Sequence, residues 1–242
     1  MKTLHYTYQA GAGGQTVEAL LKERGYSKSL INRIKLTEDG LMLRGEKVYT
    51  TRRLSPGDVL HVTFSEDASS EHIVPVEMPL SILYEDEDLM VINKAANVPI
   101  HPSQGHFSNS LANGLAWYFE NKKEPFVFRA INRLDRDTTG LLIVAKHALS
   151  GCILSDMVKR REIHRTYLAA VSGDLSASSD GTVTVPIARV PGSTIERMPD
   201  PEHGESAVTH YHLLTYNPRT DSSLLEIRLE TGRTNQIRVH MK

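Results

Sequence analysis

The sequence predicts an α+β fold, with a mixed or antiparallel β-sheet in the larger domain and a small α+β domain ahead of it. Three observations lead to this prediction. Strand-like segments outnumber helical ones, they do not alternate with helices in the βαβ order of a parallel sheet, and no segment is repeated. The 242 residues, 40% hydrophobic and 24% charged, suffice for one or two domains with ordinary cores.

The charge changes sign twice along the chain. Residues 1–64 hold ten Lys or Arg against six Asp or Glu, and residues 65–88 hold eight acidic residues and no basic one. Residues 89–242 hold eighteen basic against fifteen acidic residues, so two mildly basic blocks flank an acidic stretch. We therefore predict a small domain at 1–64, an acidic linker at 65–80 and a larger domain at 81–242.

Composition also bears on location. The single cysteine, Cys152, excludes an intramolecular disulfide and suits a reducing compartment. The chain has neither an apolar start of signal-peptide length nor a segment near the roughly 20 apolar residues of a membrane span. Its histidines lack the grouping of a metal site. We expect a cytoplasmic protein that binds no membrane and no metal, and by default a monomer.

The first block is predicted to form two short helices followed by a small sheet. Gly25 can end the first helix, and Ser27 can cap the second. The apolar faces at helical spacing are Val17, Leu20 and Leu21 in the first helix and Leu30, Ile31 and Ile34 in the second. The alternating segment "VLHVTF" then predicts a strand with Leu60, Val62 and Phe64 on one face.

The second helix of this block is basic, with Lys28, Arg33 and Lys35. Taken singly, such residues are most often solvated surface charges. Two short helices, a basic second helix and tight turns closing on "SPGDVLHV" nevertheless resemble the small RNA-binding fold of ribosomal small-subunit protein four, over about residues 14–64. The resemblance implies that these three residues contact RNA phosphates, which adds affinity rather than sequence choice.

The second block opens with a predicted strand at 89–93 and a helix with Leu111 and Leu115 on one face. The run "LLIVAK" predicts a strand covered on both faces. The helix after it is predicted to bury Ile153, Leu154, Met157 and Val158. Further strands follow, of which the first carries Tyr167 near its start, and the chain closes with a glycine turn and the beginning of a helix.

Ionic side chains crowd the loop "RLDRDTTG" before the predicted "LLIVAK" strand. A rigid strand holds the residues of its loop accurately, so this loop suits chemistry. The alternative is a polar turn, in which Asp137 and Thr138 bond to nearby backbone and Gly140 supplies an unusual dihedral angle.

A second ionic cluster, "LETGRTNQIRVH", lies near the end of the chain. Gly232 allows a tight turn, Thr234 is predicted to cap a helix, and Gln236 and Arg238 fall in its first turns. A guanidinium held on a helix can grip a carboxylate with two parallel hydrogen bonds and favours its ionised form. Surface charge is the alternative reading of Arg238 and of Arg233.

Together, "INRLDRDTTGLLIVAK", "HRTYLAAV" and "LETGRTNQIRVH" resemble the three motifs of the RluA/RluD-type pseudouridine synthases, over about residues 80–242. These RNA-modifying enzymes act mainly on large-subunit ribosomal RNA and sometimes on transfer RNA. The resemblance implies an enzyme that flips a uridine out of the RNA, breaks its C1′–N1 bond and rejoins the base through C5. No redox step or group addition is involved, so it implies neither a metal nor an organic cofactor.

The resemblance also implies roles for four residues. Asp135 stands at the position of the essential aspartate, which acts either as a nucleophile at C1′ or as a base on the ribose. Tyr167 stands at the aromatic position that stacks on the uracil, and Arg238 at the basic partner of the aspartate. Arg133 lies in the loop that holds the nucleotide out of the stack. These groups are expected in one cleft.

The chain departs from the family pattern in several places. Asn132 and Asn235 stand where the family usually has histidine, and Ala95 where it often has proline. The family continues beyond "RVHM" with a loop, a strand and a helix, so the catalytic domain is expected to be shortened at Lys242. These departures leave a catalytically inactive RNA-binding or ribosome-assembly protein as an alternative. A glycosidase-like hydrolase needs a second carboxylate, for which Asp137 is the only local candidate.

Overall fold

Antiparallel strands form four sheets in the part of the chain that the structure describes. The structure is a computed structural model and describes residues 2–9, 14–65, 73–103, 107–193 and 195–242. The predicted α+β fold with antiparallel pairing is confirmed. The chain divides into two units, Met1–Arg160 and Arg161–Lys242. Residues 66–72 of the predicted linker lie outside the described residues, and the predicted division into 1–64, 65–80 and 81–242 stays a prediction.

The first unit begins with a four-stranded sheet and two helices. Their bounds are β1 Lys2–Thr7, α1 Val17–Glu23, α2 Lys28–Leu36, β2 Leu41–Leu43, β3 Glu46–Lys47 and β4 Val59–Phe64. The sheet order is β1-β4-β2-β3. The sequence reading missed β1, whose pairing partner β4 lies more than fifty residues further along the chain.

The turn between α1 and α2 follows from two residues that the sequence identified. Gly25 has φ 87°, and its N–H donates to the Lys22 carbonyl at 3.1 Å, while Tyr26 N donates to Leu21 O at 3.0 Å. This is the hydrogen-bond pattern of a glycine-terminated helix. Ser27 Oγ then accepts from Leu30 N at 3.2 Å, which caps α2. Both predicted helix boundaries and both predicted apolar faces are confirmed.

The rest of the first unit contains a three-stranded sheet and two longer helices. Their bounds are β5 Ile82–Glu85, β6 Leu89–Lys94, α3 Leu111–Asn121, β7 Gly140–Ala145 and α4 Ala148–Lys159, with sheet order β5-β6-β7. Leu149 of α4 belongs to the same apolar core as α1, α2 and β4. The small first block therefore packs directly on α4.

Two burial predictions for this part are wrong in detail. Leu142 and Val144 of β7 are completely buried, but Leu141 is 58% exposed, so β7 is not covered on both faces. In α4, Leu154 is buried as predicted, whereas Ile153 is 36% exposed. The helix buries Leu149, Ser150 and Leu154, because it faces the core slightly differently from what the apolar spacing suggested.

A carboxylate joins three elements of this unit. Glu85, at the end of β5, accepts hydrogen bonds from Lys146 Nζ at 2.8 Å, Tyr118 Oη at 2.6 Å and Lys122 Nζ at 3.1 Å. Burial alone would raise the pKa of Glu85, but these bonds to its ionised form outweigh burial and lower the pKa from 4.5 to about 2.

We expect Glu85→Gln to lower the free energy of unfolding by about 3 kcal/mol at pH 7. A depressed folded-state pKa stabilises the protein above the unfolded value, and the contribution disappears as the pH falls from about 4.5 to about 2. Urea unfolding of the parent and the variant at pH 7 and at pH 3 measures this. A difference of equal size at both pH values would contradict the linkage.

The second unit is a four-stranded sheet with a hairpin and a short helix. Its elements are β8 Thr166–Ser172, β9 Asp180–Val183, β10 Ile187–Arg189, β11 Arg197–Pro199, β12 Thr209–Asn217, β13 Ser222–Leu229 and α5 Gln236–His240. The sheet order is β8-β13-β12-β9, and β10 pairs with β11. Among the described helices of both units, none has the length and apolarity to cross a bilayer.

Candidate active site

The loop with Asp135 starts from a segment that is paired to β7. Ile131 N donates to Ile143 O at 2.8 Å, and Ala145 N donates to Arg129 O at 2.9 Å. Asn132 then extends the pairing with its side chain, since Oδ1 accepts from Ile143 N at 2.9 Å and Nδ2 donates to Leu141 O at 3.0 Å. The Asn132 side chain therefore joins the first residues of the loop to β7.

The remainder of the loop is held at several points. Leu134 packs against the apolar core beneath the sheet. Thr138 N donates to Asp135 O at 3.1 Å, and the Arg136 guanidinium pairs with the Asp137 carboxylate through two contacts of 3.1 Å. Gly140 has φ 123°, a conformation that only glycine adopts readily, so the dihedral predicted for it is present. Asp135 itself is half-buried and Arg133 is exposed.

A buried lysine lies beneath this loop. Lys94, at the end of β6, is 1% exposed. Its Nζ donates to three carbonyl oxygens, those of Ala95 at 2.8 Å, Val98 at 2.9 Å and Arg136 at 2.9 Å. Burial lowers the pKa of Lys94, and the charges of Asp137 and Asp135 act in the opposite direction. One ammonium group thus joins the loop after β6 to the residue that follows Asp135.

The loop after β6 also approaches Arg133. The His101 ring meets Phe128 edge to face, with 4.6 Å between ring centroids. Desolvation and, to a smaller extent, the charge of Arg133 lower the pKa of His101. The loop after β6 and the loop before β7 therefore lie close together, joined by Lys94 and with His101 within the electrostatic reach of Arg133.

In the second unit, Tyr167 lies on the edge strand β8. It pairs with Ile227 of β13 and is half-buried. Tyr211 of β12 pairs with the same Ile227, so the three side chains form one row across a face of the sheet. Tyr167 is thereby placed by a regular strand, as its sequence context predicts.

The turn before α5 is organised by Gln236, which is 2% exposed. Its Oε1 accepts from Thr231 Oγ1 at 2.9 Å and from Arg233 N at 3.0 Å. Its Nε2 donates to Val208 O at 3.0 Å and to Thr209 Oγ1 at 2.9 Å. A single side-chain amide thus connects the turn to the start of β12.

The start of α5 differs from its predicted form. The N-cap is Asn235, with φ 56° and no side-chain capping bond, so Thr234 does not cap this helix. Arg233 is a structural residue, because Nε donates to Ser206 O at 3.0 Å and the guanidinium pairs with Glu205. Arg238 lies in the five-residue helix and is exposed.

We expect Gln236→Ala to lower the free energy of unfolding by about 3 kcal/mol, because it leaves buried donors and acceptors without partners. Thermal unfolding of the parent and the variant measures the loss. Asn235→Gly is the neighbouring control. Glycine tolerates φ 56°, so this change should cost under about 1 kcal/mol. Equal losses in the two variants would refute the assigned role of Gln236.

The candidate residues are thus distributed over both units. Arg133 and Asp135 share a loop of the first unit, whereas Tyr167 and Arg238 lie on β8 and α5 of the second. Sequence reasoning missed the roles of Lys94, Asn132 and Gln236. None of the three roles has a local sequence signature, because each depends on hydrogen bonds to residues outside its own segment. No cluster of three or more His, Cys, Asp or Glu with metal-binding geometry occurs among the described residues.

The predicted RNA-binding residues of α2 do not all point the same way. Arg33 lines a cleft between α2 and α4. Lys35 and Lys28 lie near Glu18 of α1, where their charges help lower the pKa of that carboxyl, after the larger effect of Lys22. The basic helix therefore presents charge on two sides.

Several known proteins are similar to this chain in sequence. Residues 88–242 match the family model described as RNA pseudouridylate synthase. The chain is 42% identical over 226 residues to the "uncharacterized RNA pseudouridine synthase YjbO" of Bacillus subtilis (strain 168), covering 93% of this chain and 78% of that protein. It is 36% identical over 233 residues to the ribosomal large subunit pseudouridine synthase D of Xanthomonas campestris pv. campestris, covering 95% and 68%.

A solved structure is similar as well. Human RNA pseudouridylate synthase domain containing 1 superposes with a TM-score of 0.55 at 26% sequence identity. The match covers 67% of this chain and 64% of the human chain, so this chain spans slightly less than two thirds of that protein. The likeness in fold therefore accompanies the likeness in sequence.

Proposed function

The chain belongs to the RNA pseudouridylate synthase family, and we propose that it isomerises specific uridines of large-subunit ribosomal RNA to pseudouridine. The family match supports the reaction. The name of the Xanthomonas relative, a ribosomal large subunit pseudouridine synthase, supports the choice of RNA. Transfer RNA is the alternative substrate class. A cytoplasmic location fits either RNA.

The observation that carries the proposal is the way Asp135 is held. Its loop is anchored by strand pairing and the Asn132 amide on one side, by Leu134 in the core, and by Lys94 at the carbonyl of the next residue. A carboxylate that must act on one atom of a flipped nucleotide needs such pre-organisation, because small displacements cost large factors in rate.

The proposed reaction is an isomerisation in which no atom is gained or lost. The C1′–N1 bond breaks, the base turns, and a C1′–C5 bond forms. The proton on C5 leaves, and N1 ends with a proton. Asp135 supports the exchange either by attacking C1′, which gives a covalent glycosyl intermediate, or by removing a proton from the ribose.

The other site residues have proposed roles that rest on the family resemblance. Tyr167 stacks on the uracil and offsets part of the few kcal/mol that flipping costs. Arg133 helps to hold the nucleotide out of the stack. Arg238 is the basic partner of the aspartate.

We further propose that the first block acts as an RNA-binding domain like that of ribosomal small-subunit protein four. Its support is the arrangement of α1, α2 and the small sheet, together with the basic residues Lys28, Arg33 and Lys35. Contacts from these residues to phosphates would position the RNA without reading its sequence.

The experiment that tests the reaction is tritium release from RNA labelled at C5 of uridine. Unmodified transcripts of large-subunit ribosomal RNA and of transfer RNA serve as separate substrates. Release from the ribosomal transcript alone supports the full proposal, and release from transfer RNA alone keeps the reaction but changes the substrate. Tight binding without release from either RNA would favour the binding-only alternative.

A further inference from the structure

A basic cleft lies between α2 and α4 in the first unit, apart from the loop that carries Asp135. It encloses about 750 Å³ and is open to solvent. Its walls are α2 and α4, and its floor is the segment 129–131. We call it the α2–α4 cleft. Its volume exceeds what a single small ion requires and suits a segment of nucleotide size or longer.

The cleft carries a surplus of positive charge. Arg33 comes from α2, Arg129 from the floor and Lys159 from the end of α4. The lining also includes Lys22 and the single carboxylate Asp156, so four cations line the cleft against one acidic residue. Lys22 lies 2.7 Å from Glu18 and Asp156 lies 2.9 Å from Arg160. Ser29 and Ser155 add two hydroxyl groups to the lining. Guanidinium, ammonium and hydroxyl groups in one groove match a phosphodiester chain.

Two glycines leave room for side chains that line or border the cleft. A Cβ on Gly25 would lie 2.6 Å from Ile153 Cγ1, so glycine is needed where the α1–α2 turn approaches α4. A Cβ on Gly151 would lie 3.2 Å from Arg129 Cδ, so the bare backbone of α4 gives room to the arginine stem. Arg129 Nη1 also donates to Val127 O at 3.3 Å, which helps to hold the guanidinium in place.

The floor of the cleft continues into the loop that carries Asp135. Segment 129–131 pairs with β7, and Asp135 follows Ile131 by four residues. Four extended residues span at most about 14 Å. An RNA strand bound in the cleft would therefore lie within a few nucleotides of Asp135. A synthase that flips one nucleotide must hold the strand beside it.

We propose that the α2–α4 cleft binds the sugar–phosphate backbone of the RNA strand that flanks the target uridine, through Arg33, Arg129 and Lys159. The inference rests on the proposed function for its choice of RNA as the ligand. Arg33 comes from the first block, and Arg129 and Lys159 come from the second block. Both blocks would therefore position the same RNA.

Cys152 provides a direct test, because it lines the cleft and is the single cysteine of the chain. The rate of its alkylation by iodoacetamide is measured with no ligand, with saturating unmodified large-subunit RNA transcript, and with uridine monophosphate. We expect the RNA to slow the reaction at least about tenfold and the mononucleotide to have little effect. An unchanged rate with RNA bound would overturn the proposal, and equal protection by the mononucleotide would replace it with a small-ligand site.

Charge-removing variants test whether the protection is local. Arg129→Gln and Lys159→Gln should each weaken RNA binding about fivefold at 0.1 M salt and lower the salt slope by about 0.7. Lys123→Gln removes an exposed charge outside the cleft and is the matched control. If the cleft variants bind like the control, the proposal fails. Asp135→Asn should keep full Cys152 protection by RNA. If RNA protects Cys152 of the parent protein but the parent releases no tritium, only the proposed reaction is refuted.

Discussion

Asp135→Asn is expected to abolish turnover while RNA binding is retained. The substitution preserves the size and shape of the side chain but removes both the nucleophilic and the basic capacity of the carboxylate. We expect tritium release from C5-labelled RNA to fall more than about a thousandfold, with a change in the dissociation constant below about threefold. Single-turnover release and filter binding on the same RNA measure the two quantities.

Asp137→Asn is the matched control for this experiment. Asp137 lies two residues further along the same loop, and its carboxylate pairs with Arg136 at the surface. Its loss should reduce the single-turnover rate by less than about tenfold. If Asp137→Asn abolishes release and Asp135→Asn does not, the catalytic assignment is wrong and a carboxylate other than Asp135 carries the reaction.

Lys94→Met is expected to lower both stability and the chemical rate. Methionine fills nearly the same volume but leaves three carbonyl oxygens without the charged donor that they share. We expect a loss of about 3 kcal/mol in the free energy of unfolding and a melting temperature lower by about 6–12 °C. At a temperature where the variant is folded, the single-turnover rate should still fall by at least about tenfold, because the Asp135 loop loses its anchor at Arg136.

Lys146→Met separates positioning from stability. Lys146 is also a mostly buried lysine at the end of a strand, and it donates to Glu85 Oε1 at 2.8 Å and to Asp86 O at 2.6 Å. This control should lose similar stability but keep the single-turnover rate of the parent. If both lysine variants show the same rate at a temperature where both are folded, Lys94 is a structural residue only.

Local sequence patterns sufficed for much of the fold. The Gly25 and Ser27 boundaries, the buried faces of α1 and α2 and the strands β4 and β6 depend on neighbours within a few residues, and all are observed. The fold class followed from the order of such segments. Asp135, Arg133, Tyr167 and Arg238 were selected by resemblance to a family, and their roles remain predictions that the variants above test.

Other features depended on groups that are distant in sequence. The strand β1 escaped notice because its pairing partner β4 lies far along the chain. Lys94 would ordinarily be read as a surface residue, and it is buried because carbonyls from two loops, one of them 42 residues away, converge on its ammonium group. Gln236 is also buried because of distant partners, since its Nε2 donates to Val208 O and Thr209 Oγ1 at the start of β12.

The sequence by itself determined the helices with clear caps, the apolar strands and the family to which the chain belongs. Only the tertiary structure decided which polar side chains hold the Asp135 loop and the turn before α5, and that α2 and α4 form a basic cleft. The physical reason is range. Helical spacing and capping are satisfied within one or two turns of chain, whereas a buried cation or amide is stable only where the complete fold supplies all of its partners.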